Sequence, residues 1–342
     1  MALYGYTIGD VDSNPVAGTQ FAVYRFPISP LSFISIPQLV SRINAANIQN
    51  NGLEGLGTNP STGRVSAVNE AQASGSTATI DPTIVRVNNV DQPFAPASAS
   101  PTRSPSDLRR FGFESGADFG RDISSTGAVL STNVLYNISG NNAASTGVPV
   151  GSSLYEITVP TTGAGVVTLV DQFGAATTTA QRQGTAPTNP GKFADGLAID
   201  NLSPGRTRAF ASDFTNIDET TGDTTRNNLY KIDLLTGELS APIVLRNSSG
   251  QPLNLVRDSG LAFTNLSGST QRLLALLETG EVYEITGFQD ELNASGLSLG
   301  SAIGTSGAGF ATATLLSIAA LPSGSTGLIG VIDYEGFTIV NE

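Results

Sequence analysis

The feature that most constrains the fold is a β-hairpin sequence that recurs along the chain. Its clearest copy is NNLYKIDLLTGELSAPIVL at residues 227–245. Leu229, Tyr230 and Ile232 carry a strand pattern, Thr236-Gly237 forms a turn, and a second apolar strand follows. The LYKID segment returns as LYEIT at 154–158 and as VYEIT at 282–286. The chain is therefore predicted to consist of repeated β units.

A second recurring element places an acidic residue and a glycine at the start of an apolar strand. It occurs as LEGLGTN from Leu53, ADGLAID from Ala194 and DSGLAFT from Asp258, with a degenerate copy, FESGADF, from Phe113. A further strand and then the Tyr-Ile strand follow, so the repeating unit has four strands. Four-stranded repeats with small residues in the innermost strand are typical of β-propeller blades, because space is tightest around the central channel.

The number of these elements predicts a propeller of five blades, with six as the alternative. Gly55, Gly116, Gly196 and Gly260 mark four inner strands, and ATATLL at 311–316, with Ala313, is the predicted fifth. We expect N- and C-terminal strands to share one blade, which closes the ring and removes free sheet edges. The chain would then form a single domain over residues 1–342. Its Pro- and Ser-rich segment, 91–110, would be a long loop or, alternatively, a domain joint.

One segment has helical rather than β periodicity. SIPQLVSRINAANIQ, residues 35–49, carries apolar residues at roughly helical spacing, and Ser35 before Pro37 is a suitable start. These apolar residues are Ile36, Leu39, Val40, Ile43 and Ile48. The pattern predicts a short helix that caps one end of the ring, or alternatively a helix that docks a partner.

Composition excludes several kinds of chemistry. The 342 residues include no Cys and no His, which rules out disulfides, thiolate catalysis, Cys/His zinc sites and a His-based triad. Acid–base catalysis near neutral pH would fall to carboxylates, Tyr, or the two lysines, Lys192 and Lys231. The formal net charge of −12 disfavours nucleic acid and anionic membranes, and it is compatible with hard cations and neutral glycans. No window is apolar for long enough to cross a bilayer, so membrane insertion is not expected.

The acidic residues that open the inner strands are the first candidate site. Glu54, Asp195 and Asp258 would meet at one mouth of the channel, with Glu114 or Asp118 contributed by the degenerate copy. Converging carboxylates can bind a hard cation, or act as acid and as nucleophile or base in glycoside hydrolysis. The alternative is that an acidic residue before glycine only caps a turn through its side-chain oxygen.

A second candidate is the acidic loop DFTNIDETTGDTT, residues 213–225. It is rich in oxygen ligands and therefore predicts a possible calcium site, although its spacing is not that of an EF-hand. The candidate ligands are Asp213, Asn216, Asp218, Glu219 and Asp223. The alternative is a solvated acidic hairpin loop.

Tyrosines recur at or near the third strand of the unit. Surface tyrosines are good platforms for sugar rings, but recurrence at one position of the repeat favours packing between blades. The residues concerned are Tyr136, Tyr155, Tyr230, Tyr283 and Tyr334.

The segment ALYGYTIG, residues 2–9, resembles the N-terminus of the water stress proteins of desiccation-tolerant cyanobacteria, and the size and acidity of the chain agree. The resemblance implies a secreted protein of the extracellular matrix that accumulates on drying and ultraviolet exposure. It also implies association with exopolysaccharide or with small ultraviolet-absorbing pigments, and it raises a xylan-hydrolysing activity.

Two functions are therefore expected. The first is a non-enzymatic acidic matrix protein that binds exopolysaccharide, with divalent cations as candidate bridges between the protein and anionic sugars. The second is a glycoside hydrolase that acts on xylan-like polysaccharide, with Glu54, Asp195 and Asp258 as its catalytic candidates. The first ten residues lack the basic and apolar regions of a classical signal peptide, so export would use another route or follow removal of a leader.

Overall fold

The computed structural model describes residues 2–10, 20–28, 34–44, 53–69, 83–86, 96–101, 115–139, 152–158, 165–170, 192–215, 226–299, 309–319 and 333–342. This part of the chain contains 21 strands and one short helix, which confirms the prediction of an all-β fold. Within it, no helix has both the length and the apolar character that crossing a membrane requires.

In the described part of the chain, the strands follow one another and a single helix is found between them. In chain order they are β1 (Leu3–Asp10), β2 (Gln20–Pro27), β3 (Ile34–Ser35), β4 (Gln38–Asn44), β5 (Leu53–Thr58), β6 (Val65–Asn69), β7 (Thr83–Arg86), β8 (Pro96–Pro101), β9 (Ser115–Ile123), β10 (Val129–Ser139), β11 (Ser153–Thr158), β12 (Gly165–Leu169), β13 (Gly196–Ile199), β14 (Ala209–Asp213), β15 (Asn228–Lys231), β16 (Ile243–Arg246), β17 (Ser259–Phe263), β18 (Leu273–Leu277), β19 (Glu281–Thr286), β20 (Phe310–Ala319) and β21 (Asp333–Asn341). Helix α1 (Gln289–Asn293) lies between β19 and β20.

Twenty of these strands form five antiparallel units of four strands each. Unit 1 has the order β21-β1-β2-β4, and units 2 to 5 are β5 to β8, β9 to β12, β13 to β16 and β17 to β20. Parallel pairing of the last strands joins unit 2 to unit 3 through β8 and β12, and unit 4 to unit 5 through β16 and β20. The eight-stranded sheet of units 2 and 3 is nearly closed and barrel-like, because its end strands, β5 and β9, also pack on each other.

The first strand of each unit, which we call the inner strand, packs on the inner strand of the next unit. The cyclic order is β5, β9, β13, β17, β21 and back to β5. Glycines allow this close approach: a Cβ on Gly116 would lie 2.3 Å from the carbonyl oxygen of Asp195, and a Cβ on Gly260 would lie 2.3 Å from the Phe337 nitrogen. The small residues predicted for the inner strands therefore have a direct steric role.

Strands from both ends of the described chain pair in unit 1, as predicted. β1 is antiparallel to β21 along its whole length, with one irregularity between Tyr6 and Ile8. The Ala2 and Glu342 backbones exchange two hydrogen bonds, of 2.7 and 2.9 Å. The Glu342 carboxylate also accepts hydrogen bonds from the Tyr6 hydroxyl and the Arg25 guanidinium.

Aromatic side chains fill the cores between neighbouring units. Phe210, Phe263 and Phe288 form one such cluster, with ring centroids 5.6 to 6.3 Å apart, and Phe288 thereby anchors the start of α1. The recurrent tyrosines serve the same purpose. Tyr136, Tyr155, Tyr230 and Tyr334 are buried, and Tyr283 packs against the cluster of Phe210. Packing, and not an exposed sugar platform, is therefore what these tyrosines provide.

The predicted helix over residues 35–49 is wrong where the structure describes that segment. Residues Gln38–Asn44 form strand β4, and residues 45–49 lie outside the described part. The physical reason is a bulge: Val23 pairs with Ser41 and Tyr24 with Leu39, which leaves Val40 as an extra residue. An extra residue breaks the alternation of a strand and gives the apolar positions a helix-like spacing.

The predicted fifth inner strand is also misplaced. Residues 311–316 lie in β20, which pairs with β19 and β16 as the outer strand of unit 5, whereas β21 is the fifth inner strand. The small residues of this segment led to the wrong assignment: Ala311 and Ala313 are buried in a core, but they lie on an outer strand. Within the Pro- and Ser-rich segment 91–110, residues 96–101 form β8 and the others lie outside the described chain.

Candidate functional site

Four acidic side chains line one small pocket at the end of the ring where the inner strands begin. They are Glu54, Asp195, Asp258 and Glu335. The structure thus brings together the three carboxylates nominated from the sequence, because each lies at or next to the start of an inner strand. Their catalytic roles stay a prediction.

The residue before the inner-strand glycine supplies most of this pocket. Glu54, Asp195 and Glu335 precede Gly55, Gly196 and Gly336, and the other two units place Ser115 and Ser259 at the same position. Because the glycine lets neighbouring inner strands approach closely, the preceding side chains meet at the rim of the ring. Asp258 adds a carboxylate one residue before Ser259.

Hydrogen bonds between inner strands orient several of these groups. A Glu54 carboxylate oxygen, Oε2, accepts a hydrogen bond of 2.7 Å from the Ser115 backbone N–H. The Ser259 hydroxyl lies 3.4 Å from Asp195 Oδ1 and 3.4 Å from the Ser212 hydroxyl. Asp195 is 2% exposed, whereas Glu54, Asp258 and Glu335 are half-buried. The pocket therefore has a buried carboxylate at its base and accessible carboxylates nearer solvent.

One residue that lines the pocket has a buried hydroxyl group without a hydrogen-bond partner in the described chain. Ser115 is 7% exposed, and its Oγ has no hydrogen-bond partner among the described residues. The enclosed part of the pocket has room for about one water molecule. It can therefore take a small polar ligand, but a sugar ring would have to lie across its mouth.

Tyr334 lines the pocket but is not a candidate acid or base. Its hydroxyl donates a hydrogen bond of 3.1 Å to the Ala319 carbonyl oxygen, and burial raises the pKa of Tyr334 above its usual value. Among the described lining residues, the carboxylates are therefore the remaining candidates for a catalytic acid or base.

Glu335 and Ser115 are the site residues that sequence reasoning missed. The DYEG sequence at 333–336 has the same acid-Gly pattern as LEG at 53–55, so the signal for Glu335 was present. This signal was missed because the fifth inner strand was assigned to residues 311–316. The position of Ser115 before the inner-strand glycine Gly116 is visible in the sequence, but its burial and the lack of a partner for its hydroxyl are not.

The degenerate copy contributes Asp118 to the interior and not to the pocket. Asp118 accepts hydrogen bonds of 2.8 Å from the backbone N–H groups of Phe119 and Ile199, and it has a third backbone hydrogen bond with Thr58. Burial raises the pKa of Asp118 to about 8, against the opposing effect of these hydrogen bonds. Its position as a link between inner strands indicates a structural role, and Glu114 lies outside the described residues.

The proposed calcium loop can be assessed only at its first residue. Asp213 is buried at the end of β14, and its Oδ1 accepts a hydrogen bond of 2.9 Å from the Thr215 hydroxyl. The other candidate ligands, Asn216, Asp218, Glu219 and Asp223, fall outside the described part of the chain. Among the residues that the structure describes, no three acidic side chains stand close enough together to hold a metal ion between them.

Converging carboxylates with a buried hydroxyl can accept hydrogen bonds from sugar hydroxyls, attract a cation, or transfer protons. Comparison with known proteins does not select among these possibilities: no protein-family model matches the chain, and no curated protein matches it with significance.

Proposed function

We propose that the chain is a five-bladed β-propeller that works as a secreted, acidic protein of the extracellular matrix. In this role it binds exopolysaccharide, with small ultraviolet-absorbing pigments as candidate further ligands, and it contributes to tolerance of desiccation and ultraviolet light. The acidic pocket at one end of the ring is the proposed contact for the polysaccharide.

The packing of the inner strands supports the propeller. Five units of four antiparallel strands, with inner strands in cyclic contact, are what a five-bladed ring requires. The shared unit 1 supports closure by strands from both ends, since β21 pairs with β1. On this reading units 1 to 5 are the blades, and the pocket is one mouth of the central channel.

The observation that carries the binding proposal is the meeting of four carboxylates in one pocket. Ionised carboxylates accept hydrogen bonds only, and sugar hydroxyls are abundant donors. Glu54, Asp258 and Glu335 are half-buried and can bind hydroxyls of a polysaccharide that lies across the mouth. The narrow interior disfavours insertion of a single sugar ring, and this supports binding along a polymer more than cleavage within a deep pocket.

The resemblance of residues 2–9 to the water stress proteins supports the proposed location and context. In this chain the same stretch includes most of β1, whose Tyr6 and Ile8 are buried. A shared sequence there is consistent with a shared way of closing unit 1.

The test is incubation of the purified protein with xylan and, separately, with an anionic bacterial exopolysaccharide. Co-sedimentation and released reducing ends are both measured, with Glu54→Gln and Asp195→Asn as pocket variants. Glu238→Gln is the control, because Glu238 is exposed in the β15–β16 turn. We expect co-sedimentation without release, weakened in the pocket variants only. Failure to co-sediment with either polymer would contradict the proposal.

The alternative is a glycoside hydrolase with two of the pocket carboxylates as its catalytic pair. The same convergence of acidic residues supports it, since carboxylates alone suffice for this chemistry. Reducing ends released by the unmodified protein, lost in Glu54→Gln or Asp195→Asn and kept in Glu238→Gln, would establish the hydrolase.

A further inference from the structure

The end of the ring where the inner strands stop, opposite the acidic pocket, carries arginines from every unit. Most of them are held by described carboxylates, in the ion pairs Arg25–Glu342, Arg206–Asp233, Arg208–Asp200 and Arg272–Glu284. Arg64 in unit 2 and Arg121 in unit 3 differ, because neither forms an ion pair with a described residue. Their two positive charges are therefore the ones at this end that a negative ligand can neutralise.

Strand alternation directs both arginines toward the interface between units 2 and 3. Val68 in β6 and Phe119 in β9 belong to the core of that interface. Successive side chains of a strand point to opposite faces. Arg64, which directly precedes β6, is therefore on the same face as Val68, and Arg121 is on the same face as Phe119. The two side chains extend from neighbouring units toward one cleft.

A hydrogen bond between the two units links the segments that carry these arginines. Asn133, opposite Arg121 in the β9–β10 pair, donates from Nδ2 to the Ser61 hydroxyl at 2.6 Å. Ser61 lies in a turn that is closed by a hydrogen bond of 2.9 Å from the Asn59 N–H to the Arg64 carbonyl oxygen. We call these five residues, Asn59, Ser61, Arg64, Arg121 and Asn133, the arginine cleft.

The arginine cleft is open to solvent on the side of its turns. Ser61, Thr62, Ser131 and Thr132 are exposed, and both arginines are half-buried. The Nη1 group of Arg121 donates a hydrogen bond to the Ser131 carbonyl oxygen, which holds the guanidinium in place. A ligand that approaches from solvent therefore meets positive charge with hydroxyl groups beside it.

The acidic groups of the protein oppose a negative ligand at this cleft only weakly. Asp122 follows Arg121, but its side chain is on the opposite face of β9, where its charge contributes to raising the pKa of Glu156. The acidic pocket begins at Ser115, which lies about 20 Å from Arg121 along β9 at about 3.3 Å per residue. Exposed charges more than about 8 Å apart are largely screened at physiological ionic strength.

We propose that the arginine cleft binds the carboxylate group of an acidic sugar unit in an anionic polysaccharide. Guanidinium groups bind carboxylates through charge-assisted and often bidentate hydrogen bonds, and the neighbouring serine and threonine hydroxyls can pair with the hydroxyls of a sugar ring. This inference rests on the proposed polysaccharide binding and adds the class of polymer, one that carries negative charge.

The test is calorimetric titration of the whole chain with a short oligogalacturonate. A neutral xylo-oligosaccharide of the same length and sodium sulfate are separate titrants. We expect Arg64→Gln and Arg121→Gln each to weaken oligogalacturonate binding about tenfold, because each removes a charge-assisted hydrogen bond. Added salt should weaken this binding as well. Binding of the neutral oligosaccharide should be the same in both variants as in the unmodified protein.

Two controls separate the arginine cleft from a general effect of charge. Arg272→Gln removes one positive charge from unit 5 at the same end of the ring, and Arg257→Gln removes one beside the acidic pocket. Both should leave the affinity for oligogalacturonate unchanged. Circular dichroism checks that each variant is folded, and Arg64→Gln decides the question if Arg121→Gln, which also loses the bond to Ser131, is unfolded.

Three results would overturn the inference. They are absence of oligogalacturonate binding, unchanged binding in folded Arg64→Gln, and sulfate that binds as tightly as the oligosaccharide, which would indicate a site for free anions. None of them bears on the binding of neutral polymer at the acidic pocket, which Glu54→Gln tests separately.

Discussion

At the scale of single residues, the glycines that follow the pocket residues set how closely the inner strands pack. Gly116 is the clearest case, because an added Cβ would also lie 2.5 Å from the Leu197 nitrogen. Such contacts with backbone atoms cannot be relieved by rotating a side chain. Exchange of one inner glycine for alanine should therefore push two strands apart.

We expect Gly116→Ala to lower the free energy of unfolding by about 2 kcal/mol or more, since overpacking against backbone forces strands to shift. Urea unfolding measures the loss. Gly205→Ala is the matched control, because the nearest atoms to its new Cβ belong to the Arg208 side chain, at 3.1 Å or more, and not to the backbone. Equal stability losses in the two variants would show that close packing of the inner strands is not the cause.

Asp118 gives the stability of the protein a specific pH dependence. Its pKa is about 8 in the folded protein and near 3.8 in the unfolded chain, so the folded state keeps the proton to higher pH. Its stabilising contribution is therefore complete below about pH 4 and is lost as the pH rises through about 8. Asp118→Asn cannot ionise and lacks this dependence.

Urea unfolding of both proteins at about pH 5 and about pH 9 tests this expectation. Asp118→Asn should be less stable by about 1–3 kcal/mol at the lower pH, because the amide replaces an oxygen that accepts a backbone hydrogen bond. The difference should shrink at the higher pH, where the Asp118 carboxyl loses its proton. Comparing the two proteins cancels the effect of Glu156, whose pKa burial raises to about 7. A difference that stays constant or grows with pH would contradict the assignment.

At the scale of elements, a buried lysine fastens α1 to unit 4. Lys231, in β15, donates hydrogen bonds of 2.6 Å to the carbonyl oxygens of Glu291 and Ala294, at the C-terminal end of the helix. Burial lowers the pKa of Lys231, and the nearby Glu291 carboxylate partly opposes that shift. A helix of five residues has little stability of its own, so α1 depends on this contact together with the hydrogen bond from Arg208 to the Leu292 carbonyl oxygen.

Lys231→Met should therefore loosen α1 more than it loosens the sheets. We expect faster amide exchange at Leu292 and Ala294, whose backbone N–H groups bond within the helix, and a loss of about 2–3 kcal/mol. Lys192→Met is the control: its ammonium donates to the Leu239 carbonyl oxygen, in unit 4, and is not tied to α1. Uniformly faster exchange throughout units 4 and 5 would instead indicate global destabilisation.

Much of the order of the strands could be predicted from the sequence, because the acid-Gly and Tyr-Ile patterns reflect local steric requirements of the strands. The hairpin of Leu229 and Ile243 has the predicted pairing, and Gly237 takes the positive φ of 71° that its turn requires. The strand β4 was misread as helix because the bulge at Val40 disturbs the alternation. Such a bulge depends on the partner strand, which a single segment does not reveal.

The candidate site was predictable to the extent that it follows the repeat. Glu54 and Asp195 were placed by their glycines, and the same reasoning reaches Glu335 once β21 is known to be an inner strand. The buried, unpartnered hydroxyl of Ser115 was not predictable, since its burial arises from the packing of β5 against β9. The distances between pocket residues on different inner strands depend on the packing of all five units, which the sequence of one unit does not reveal.

At the scale of the whole molecule, β21 combines three roles in a strand at the end of the described chain. It is the edge partner of β1, it packs between β17 and β5, and it carries Glu335 into the pocket. The Glu342 carboxylate adds contacts to Tyr6 and Arg25, and burial with the Glu342 hydrogen bond raises the pKa of Tyr6 to about 12. Loss of this one strand should therefore affect the entire fold.

Removal of residues 333–342 should abolish cooperative thermal unfolding, because it exposes the edge of β1 and leaves two inner strands without a neighbour. A synthetic peptide of the same ten residues should restore a cooperative transition when added in trans. The control is Glu342→Gln, which removes the charge that the part-exposed carboxylate presents to Arg25 and Tyr6 and should cost about 1 kcal/mol or less. If the shortened chain unfolds cooperatively at an unchanged temperature, β21 is dispensable, and closure of the ring by both ends is not what holds the molecule together.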